Sequence, residues 1–408
     1  MSLARRVASA AAAVAAAGAL LATPAGADVL PSGAPAVRGD AATVVDARTG
    51  EVLLADAADE RHAIASATKL MTALLALERA EPGDVFTAPA YRPMSPIESM
   101  IRLRAGERMK VEDLLRAIML ESANDAAVTL AEGVSGSREA FVAEMNDRAA
   151  QLRLANTSYA NPIGLDDPEN YSSAEDLAAL ARRLLRDRLF ARIADSPSTV
   201  LRSGARTRRI ANRNLLVRRH PFVSGVKTGH TREAGFVLVG SAERGGAEVV
   251  SVVLGEPSES ARDADTLALL RWGLDQFRRA QPLVAGRTVE RRAVKGHDRQ
   301  AVRLVPARTV ALTVRKGSAA RVRVRAPEAV EGPLDARARV GTADVVYRGK
   351  VVERVPLLTA SAVPAPPDEE GSNFGWPLAA LASLVLAAAL LVGALRWRGI
   401  RRGRVTQR

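Results

Sequence analysis

The apolar run from Pro377 to Leu395 constrains this chain most, because an uninterrupted stretch of 19 such residues finds no stable place on a water-facing surface. At ~1.5 Å per helical residue it reaches ~28 Å, the thickness of a bilayer's hydrocarbon core. Trp376 and Trp397 bracket it, as interfacial aromatic rings do. Beyond it stand Arg396, Arg398, Arg401, Arg402, Arg404 and Arg408 with no acid, a pattern that puts this end in the cytoplasm and the body outside. At the other end Arg5-Arg6, an Ala/Val/Leu run from Val7 and the small-residue triplet Ala25-Gly26-Ala27 read as a secretory signal.

The expected plan is therefore a signal over 1–27, a first folded domain over 28–280 and a second over 281–358. A Pro-rich spacer over 359–376, a membrane helix over 377–395 and a basic cytoplasmic tail over 396–408 complete it. The expected location is the cell membrane, single-pass, with the folded body on the extracytoplasmic side and lipid as a partner of the last helix.

This topology accounts for most of the net charge of +13. The signal and the tail hold eight of those charges, so a nucleic-acid partner is not expected. What remains is uneven. Residues 281–358 hold 17 Lys and Arg against 7 Asp and Glu, while residues 28–280 hold 33 against 35. The second domain is thus the basic one, and its expected contact is anionic lipid or wall polymer. There is no cysteine, which excludes disulfides and thiolate chemistry. The four histidines, His62, His220, His230 and His297, lack metal-ligand spacing, so neither metal nor cofactor is expected.

Within the first domain the chain is organised around an apolar helix expected from Ile64 through Glu78. Ser66 and Lys69 are its polar exceptions, and residues three apart share a helix face. A hydroxyl thus meets an amine whose burial among apolar neighbours lowers its pKa, a nucleophile beside a base. Alone, Ser-x-x-Lys carries little information. It is followed, however, by Ser122-Ala123-Asn124 and then by Lys227-Thr228-Gly229-His230-Thr231. The ordered set Ser-x-x-Lys, Ser-x-Asn and Lys-Thr-Gly is specific where each member is not.

Around these motifs, Ala41 to Asp56 reads as a β-hairpin with its turn at Gly50, Val111 to Leu120 as a helix, and Asn124 to Glu132 and Ser137 to Leu152 as further helices. Ser172-Ser173-Ala174-Glu175 is a capping box opening the helix Asp176 to Arg188. β-type sequence around Lys227, Gly235–Ser241 and Val249–Gly255 gives three antiparallel strands, packed by a helix from Asp263 to Phe277. Helices early and strands late, with the first hairpin joining the sheet, give an α/β (α+β) sandwich. In 281–358, Val302–Val305, Val310–Val314, Val322–Arg325 and Val345–Tyr347 alternate at strand period, so a small all-β domain is expected.

The chain from about 40 to 358 resembles the D-alanyl-D-alanine carboxypeptidases, penicillin-binding proteins of low molecular mass, in the three motifs. It also shares Val44-Val45-Asp46 with Thr49-Gly50, Asn161 with Gly164-Leu165-Asp166, Tyr171-Ser172-Ser173, and Leu269-Leu270 with Trp272-Gly273. The resemblance implies the penicillin-binding/β-lactamase-like sandwich and a substrate that is a peptidoglycan stem peptide ending in D-Ala-D-Ala. It implies Ser66 as the acyl-ester nucleophile, Lys69 as general base and Ser122 as proton relay. Asn124, Lys227, Thr228, Gly229, His230 and Arg262 would bind substrate, the backbone N–H groups of Ser66 and His230 forming the oxyanion hole and Gly229 leaving room along its strand. β-Lactams would trap Ser66 as a slow ester.

Three departures accompany the resemblance: Ile64 stands where the family usually has proline, Ala123 where it has glycine, and Ile163 where a histidine is often found. Rival readings are a β-lactamase or DD-transpeptidase on the same fold and, from another class, a lactam sensor or wall-binding scaffold without turnover. A tail of thirteen residues is too short for a signalling domain.

Overall fold

In the computed structural model, residues 28–367 and 375–402 are described. The expected signal over 1–27, part of the spacer (368–374) and the end of the tail (403–408) lie outside them. The chain divides into two compact units, one of residues up to 280 together with Leu312–Ala319 and one of Gln281–Ala311 with residues from Ala320 onward.

The first unit is built on a five-stranded antiparallel sheet of β1 (Ala41–Asp46), β2 (Val52–Asp56), β3 (Val223–Thr231), β4 (Gly235–Arg244) and β5 (Ala247–Glu256), in the order β2-β1-β5-β4-β3. The N-terminal hairpin joins the sheet as expected, Ala41 pairing with Leu254 and Asp46 with Val249. Alternate residues go to opposite faces. Val237, Val239, Val250 and Val252 enter one core, and Leu238, Val249 and Val253 enter the other. Both faces are covered, which is why the strands read as apolar runs; each such side chain contributes roughly 1.5–3 kcal/mol.

One face carries the helices α1 (Lys69–Arg79), α2 (Val111–Arg116), α3 (Asn124–Ser135), α4 (Arg138–Gln151) and α5 (Ala174–Leu184). The other carries α6 (Glu259–Asp275) through Leu269, Leu270 and Leu274. The capping serines behave as their sequence suggests: Ser173 accepts from the N–H of Asp176 and Ser137 from that of Ala140.

Two boundaries near Ser66 and Ser122 differ from expectation. The stretch expected as one helix from Ile64 begins with a 3₁₀ turn, Ala65–Thr68, and becomes α-helical only at Lys69. Ala65 has φ 46°, outside the α basin, and delays the helix. The helix expected to Leu120 gives way after Arg116 to a π turn, Ala117–Glu121, that closes on Ser122 with φ 61°.

In the second unit, β6 (Glu290–Val294), β7 (His297–Pro306), β8 (Arg321–Arg325), β9 (Ala329–Val330), β10 (Arg339–Tyr347) and β11 (Lys350–Thr359) form a sheet in the order β8-β10-β11-β7-β6-β9. β8 alternates exposed Arg with half-buried Val, and Arg325 and Arg354 both bind the fully buried Asp344, at 2.9 and 2.6 Å. The last helix, α7 (Gly375–Arg402), has one apolar window long enough to cross a bilayer, Ala380–Trp397, none of it buried.

Candidate active site

Three segments that are far apart in sequence converge at the start of α1. The 3₁₀ turn leaves Ser66 half-buried and turns Lys69 inward, so that the amine is completely buried. Lys69 Nζ donates to Ser66 Oγ at 3.0 Å, to Asn124 Oδ1 at 2.7 Å and to the backbone carbonyl of Ile163 at 2.5 Å. An ammonium has three protons, and each has an acceptor. Burial brings the Lys69 pKa down to about 7, against the pull of Glu98 and Asp125 and with help from Arg213.

A second buried lysine faces a second serine. Lys227 Nζ donates to Ser122 Oγ at 3.0 Å and to the Thr228 carbonyl at 2.7 Å. Desolvation, then the positive charges of Lys69, Arg213 and Arg262, push its pKa well below the usual lysine value. Ser122 reaches this position because the π turn ends in a left-handed residue, after which α3 starts at Asn124.

Backbone fit around Ser66 depends on two glycines. A Cβ on Gly164, whose φ is +81°, would lie 2.0 Å from the Ala65 carbonyl and 2.9 Å from the Ser66 nitrogen. A Cβ on Gly229 would meet Ile64 O and Ser66 N at 3.1 Å. The expected reason for Gly229 is room for a substrate strand; what it also makes room for is the turn that carries Ser66. Its neighbour Thr228 is buried, while His230 is exposed and stacks on Phe236 with ring centroids 4.0 Å apart.

Arg262, on α6, lies 6.0 Å over the Phe236 ring. Its guanidinium is already held by Asp263 at 2.8 Å and Glu259 at 3.0 Å. It therefore adds positive potential at Lys227 but is not an empty fork. The expected set Ser66, Lys69, Ser122, Asn124, Lys227 and Thr228 is otherwise brought to one place.

Sequence reasoning missed several groups. The Ile163 carbonyl is aimed at Lys69 by Asn161, whose side-chain oxygen accepts from the N–H groups of Ile163, Gly164 and Leu165 at 3.2, 2.7 and 3.0 Å. Thr72 fixes the same loop by donating to the Pro162 carbonyl at 2.7 Å. Glu98, from the Pro-rich segment before α2, accepts from Asn124 Nδ2 at 2.8 Å and from the Tyr91 hydroxyl. The only sequence signal here was Asn161 before Gly164-Leu165; nothing marked Glu98.

A family model described as D-alanyl-D-alanine carboxypeptidase matches residues 29–258, and one described as the C-terminal domain of penicillin-binding protein 5 matches residues 277–365. The D-alanyl-D-alanine carboxypeptidase DacF of Bacillus subtilis (strain 168) is 32% identical over 324 residues, 78% of this chain and 83% of the relative. The crystal structure of penicillin-binding protein 5 from Haemophilus influenzae superposes with a TM-score of 0.58 at 30% identity, over 82% of this chain and 99% of that one. That of a Streptomyces DD-transpeptidase does so with a TM-score of 0.54 at 27% identity, over 59% and 99%.

Proposed function

The chain belongs to the D-alanyl-D-alanine carboxypeptidase family and is a serine-type hydrolase, and from that premise we propose that it removes the terminal D-alanine of peptidoglycan stem pentapeptides through an acyl-serine intermediate while anchored in the membrane by its last helix. The observation that carries this is the pairing of Ser66 with the fully buried Lys69 at 3.0 Å. With a pKa of about 7, a substantial share of Lys69 is neutral at neutral pH and can take the Ser66 proton.

In the proposed cycle Ser66 Oγ attacks the carbonyl of the D-Ala-D-Ala bond as its proton passes to Lys69, and the backbone N–H groups of Ser66 and His230 stabilise the oxyanion. Ser122 gives its proton to the departing amine. Because Ser122 already accepts from Lys227, its own hydrogen is free to point at the leaving group. Lys227 and Thr228 receive the terminal carboxylate, whose charge restores the protonated state that burial disfavours in Lys227. Arg262 strengthens the field there, and Asn124 holds the acyl amide. Water then cleaves the ester, with proton transfers reversed.

In this reading 28–280 carries the reaction, 281–358 contacts anionic lipid or wall polymer, and 377–395 spans. The apolar, unburied window Ala380–Trp397 supports that anchor. A DD-transpeptidase differs only in the acceptor, and the Streptomyces structure above keeps that reading as the alternative.

The test is D-alanine release from a D-Ala-D-Ala pentapeptide by the purified protein, with and without an added amine acceptor. Release that persists in Ser66→Ala would end this reading; a peptide adduct with the amine in place of free acid would select the transpeptidase.

A further inference from the structure

Asn124 is shared between two partners of opposite kind. Its amide oxygen faces Lys69 Nζ at 2.7 Å and its amide nitrogen faces Glu98 Oε2 at 2.8 Å. A carboxylate only accepts and an ammonium only donates, so the two contacts together permit one rotation of the amide. Glu98 is itself gripped: Oε2 also accepts a hydrogen bond from the Tyr91 hydroxyl, and Oε1 accepts from the backbone N–H groups of Met94 at 2.6 Å and Ser95 at 3.2 Å. The base of the segment is pinned to α3, since Asp125 accepts from the N–H groups of Ile101 and Leu103 at 3.1 and 2.8 Å and Asn124 N–H donates to Ser99 O at 2.7 Å. Met94 and Ile97 at its tip point into solvent, 84% and 86% exposed.

We propose that Tyr91 and Glu98 form a positioning pair for the reaction: the Glu98 carboxylate locks the Asn124 amide so that its oxygen holds Lys69 against Ser66. This rests on the assignment of Lys69 as the base. Glu98 is a positioning residue, because it acts through Asn124 and not on the substrate.

The electrostatics agree with the geometry. Hydrogen bonds from Tyr91, Asn124, Met94 and Ser95 outweigh desolvation and keep the Glu98 carboxyl below its ordinary pKa, so it is charged at neutral pH. Of the charged groups acting on Lys69, Glu98 and Asp125 favour its protonated form and Arg213 opposes it; Lys227 is the other titratable amine nearby, and the positive charge of Lys69 lowers its pKa in turn. The Tyr91 phenol, beside Glu98 and Asp125 and partly buried, is pushed well up and stays a donor.

The experiment compares wild type, Glu98→Gln and Tyr91→Phe by the pH profile of kcat/KM for D-alanine release and by the rate of penicillin acylation, with thermal melts as the fold control. In Glu98→Gln, loss of the negative charge moves the acid limb to lower pH by roughly half to one unit. Freedom of the Asn124 amide lowers the plateau about tenfold or more. Tyr91→Phe keeps the charge, so its limb stays put while its plateau falls less. A Glu98→Gln profile that is merely scaled down, with its limb unmoved and its melt unchanged, overturns the proposal. Should the melt collapse, the Tyr91→Phe variant decides: a plateau equal to wild type overturns it, and a lowered plateau with an unmoved limb supports it. Absence of D-alanine release in the wild type would instead remove the assignment of function on which the pair depends.

Discussion

Lys69 Nζ lies closer to the amide oxygen of Asn124, at 2.7 Å, than to the hydroxyl of Ser66, at 3.0 Å. The amine is thus held by Asn124 as well as by Ser66. A neutral amine keeps two N–H donors, so the hydrogen bond to Asn124 can hold Lys69 in place whether it is charged or neutral.

The pH dependence of kcat/KM is expected to show an acid limb near pH 7, set by Lys69. The same burial has a stability consequence. The unfolded chain keeps this lysine protonated to about pH 10.4, whereas the fold releases its proton from about 7. The cost of the buried charge is therefore fully present below about pH 7 and fades as pH rises from there toward 10. Lys69→Met should lose D-alanine release by at least roughly 10³-fold yet melt higher than wild type at pH 6, the advantage shrinking by pH 9. Denaturant curves at the two pH values check this; equal differences would contradict it.

Glycine at 164 and at 229 should not be equivalent. Gly164→Ala places a methyl 2.0 Å from the Ala65 carbonyl at a left-handed φ, so about 3 kcal/mol or more of destabilisation is expected. Gly229→Ala meets its neighbours at 3.1 Å and needs only a shift of the turn. The expected result is a small change in melting temperature with a loss of penicillin acylation of about tenfold or more.

Removing Lys227 leaves Ser122 without its donor. Lys227→Met is expected to raise KM through the lost carboxylate contact and to lower kcat through the misplaced hydroxyl, together about 10²-fold or more in kcat/KM. A substrate amidated at its C-terminus should lose much less between wild type and variant. Comparing the two substrates separates carboxylate binding from proton relay.

A chain ending at residue 374 is expected to leave the membrane fraction while retaining full D-alanine release on soluble peptide. Its basic region 281–358, with 17 cationic residues against 7 acidic ones, should still bind anionic vesicles at low salt and release them as salt is raised. Flotation assays at two ionic strengths test both statements.

The sheet and the motif residues were legible in the sequence because both depend on side-chain pattern. Alternating β-type sequence around Lys227 gave β3, apolar runs beside Gly gave β4 and β5, and Ser66, Ser122 and Lys227 declared themselves by order. What stayed hidden depends on backbone. The carbonyl of Ile163 serves Lys69 whatever side chain occupies that position, and Glu98 meets Asn124 only because Asp125 anchors the loop between them. The late start of α1 reflects one dihedral at Ala65, which an alanine does not announce. In the second unit β11 was missed, since Val351 to Leu358 is interrupted by Pro356 and lacks strict alternation.

The pairing of β1 with β5 joins segments separated by some two hundred positions, and it sits in the middle of the sheet. A nascent chain can therefore not close this sheet around the Ser66 turn until the segment ending at Glu256 has been synthesised. The turn that carries Ser66 is therefore expected to order late, after strands from both ends of the domain have met.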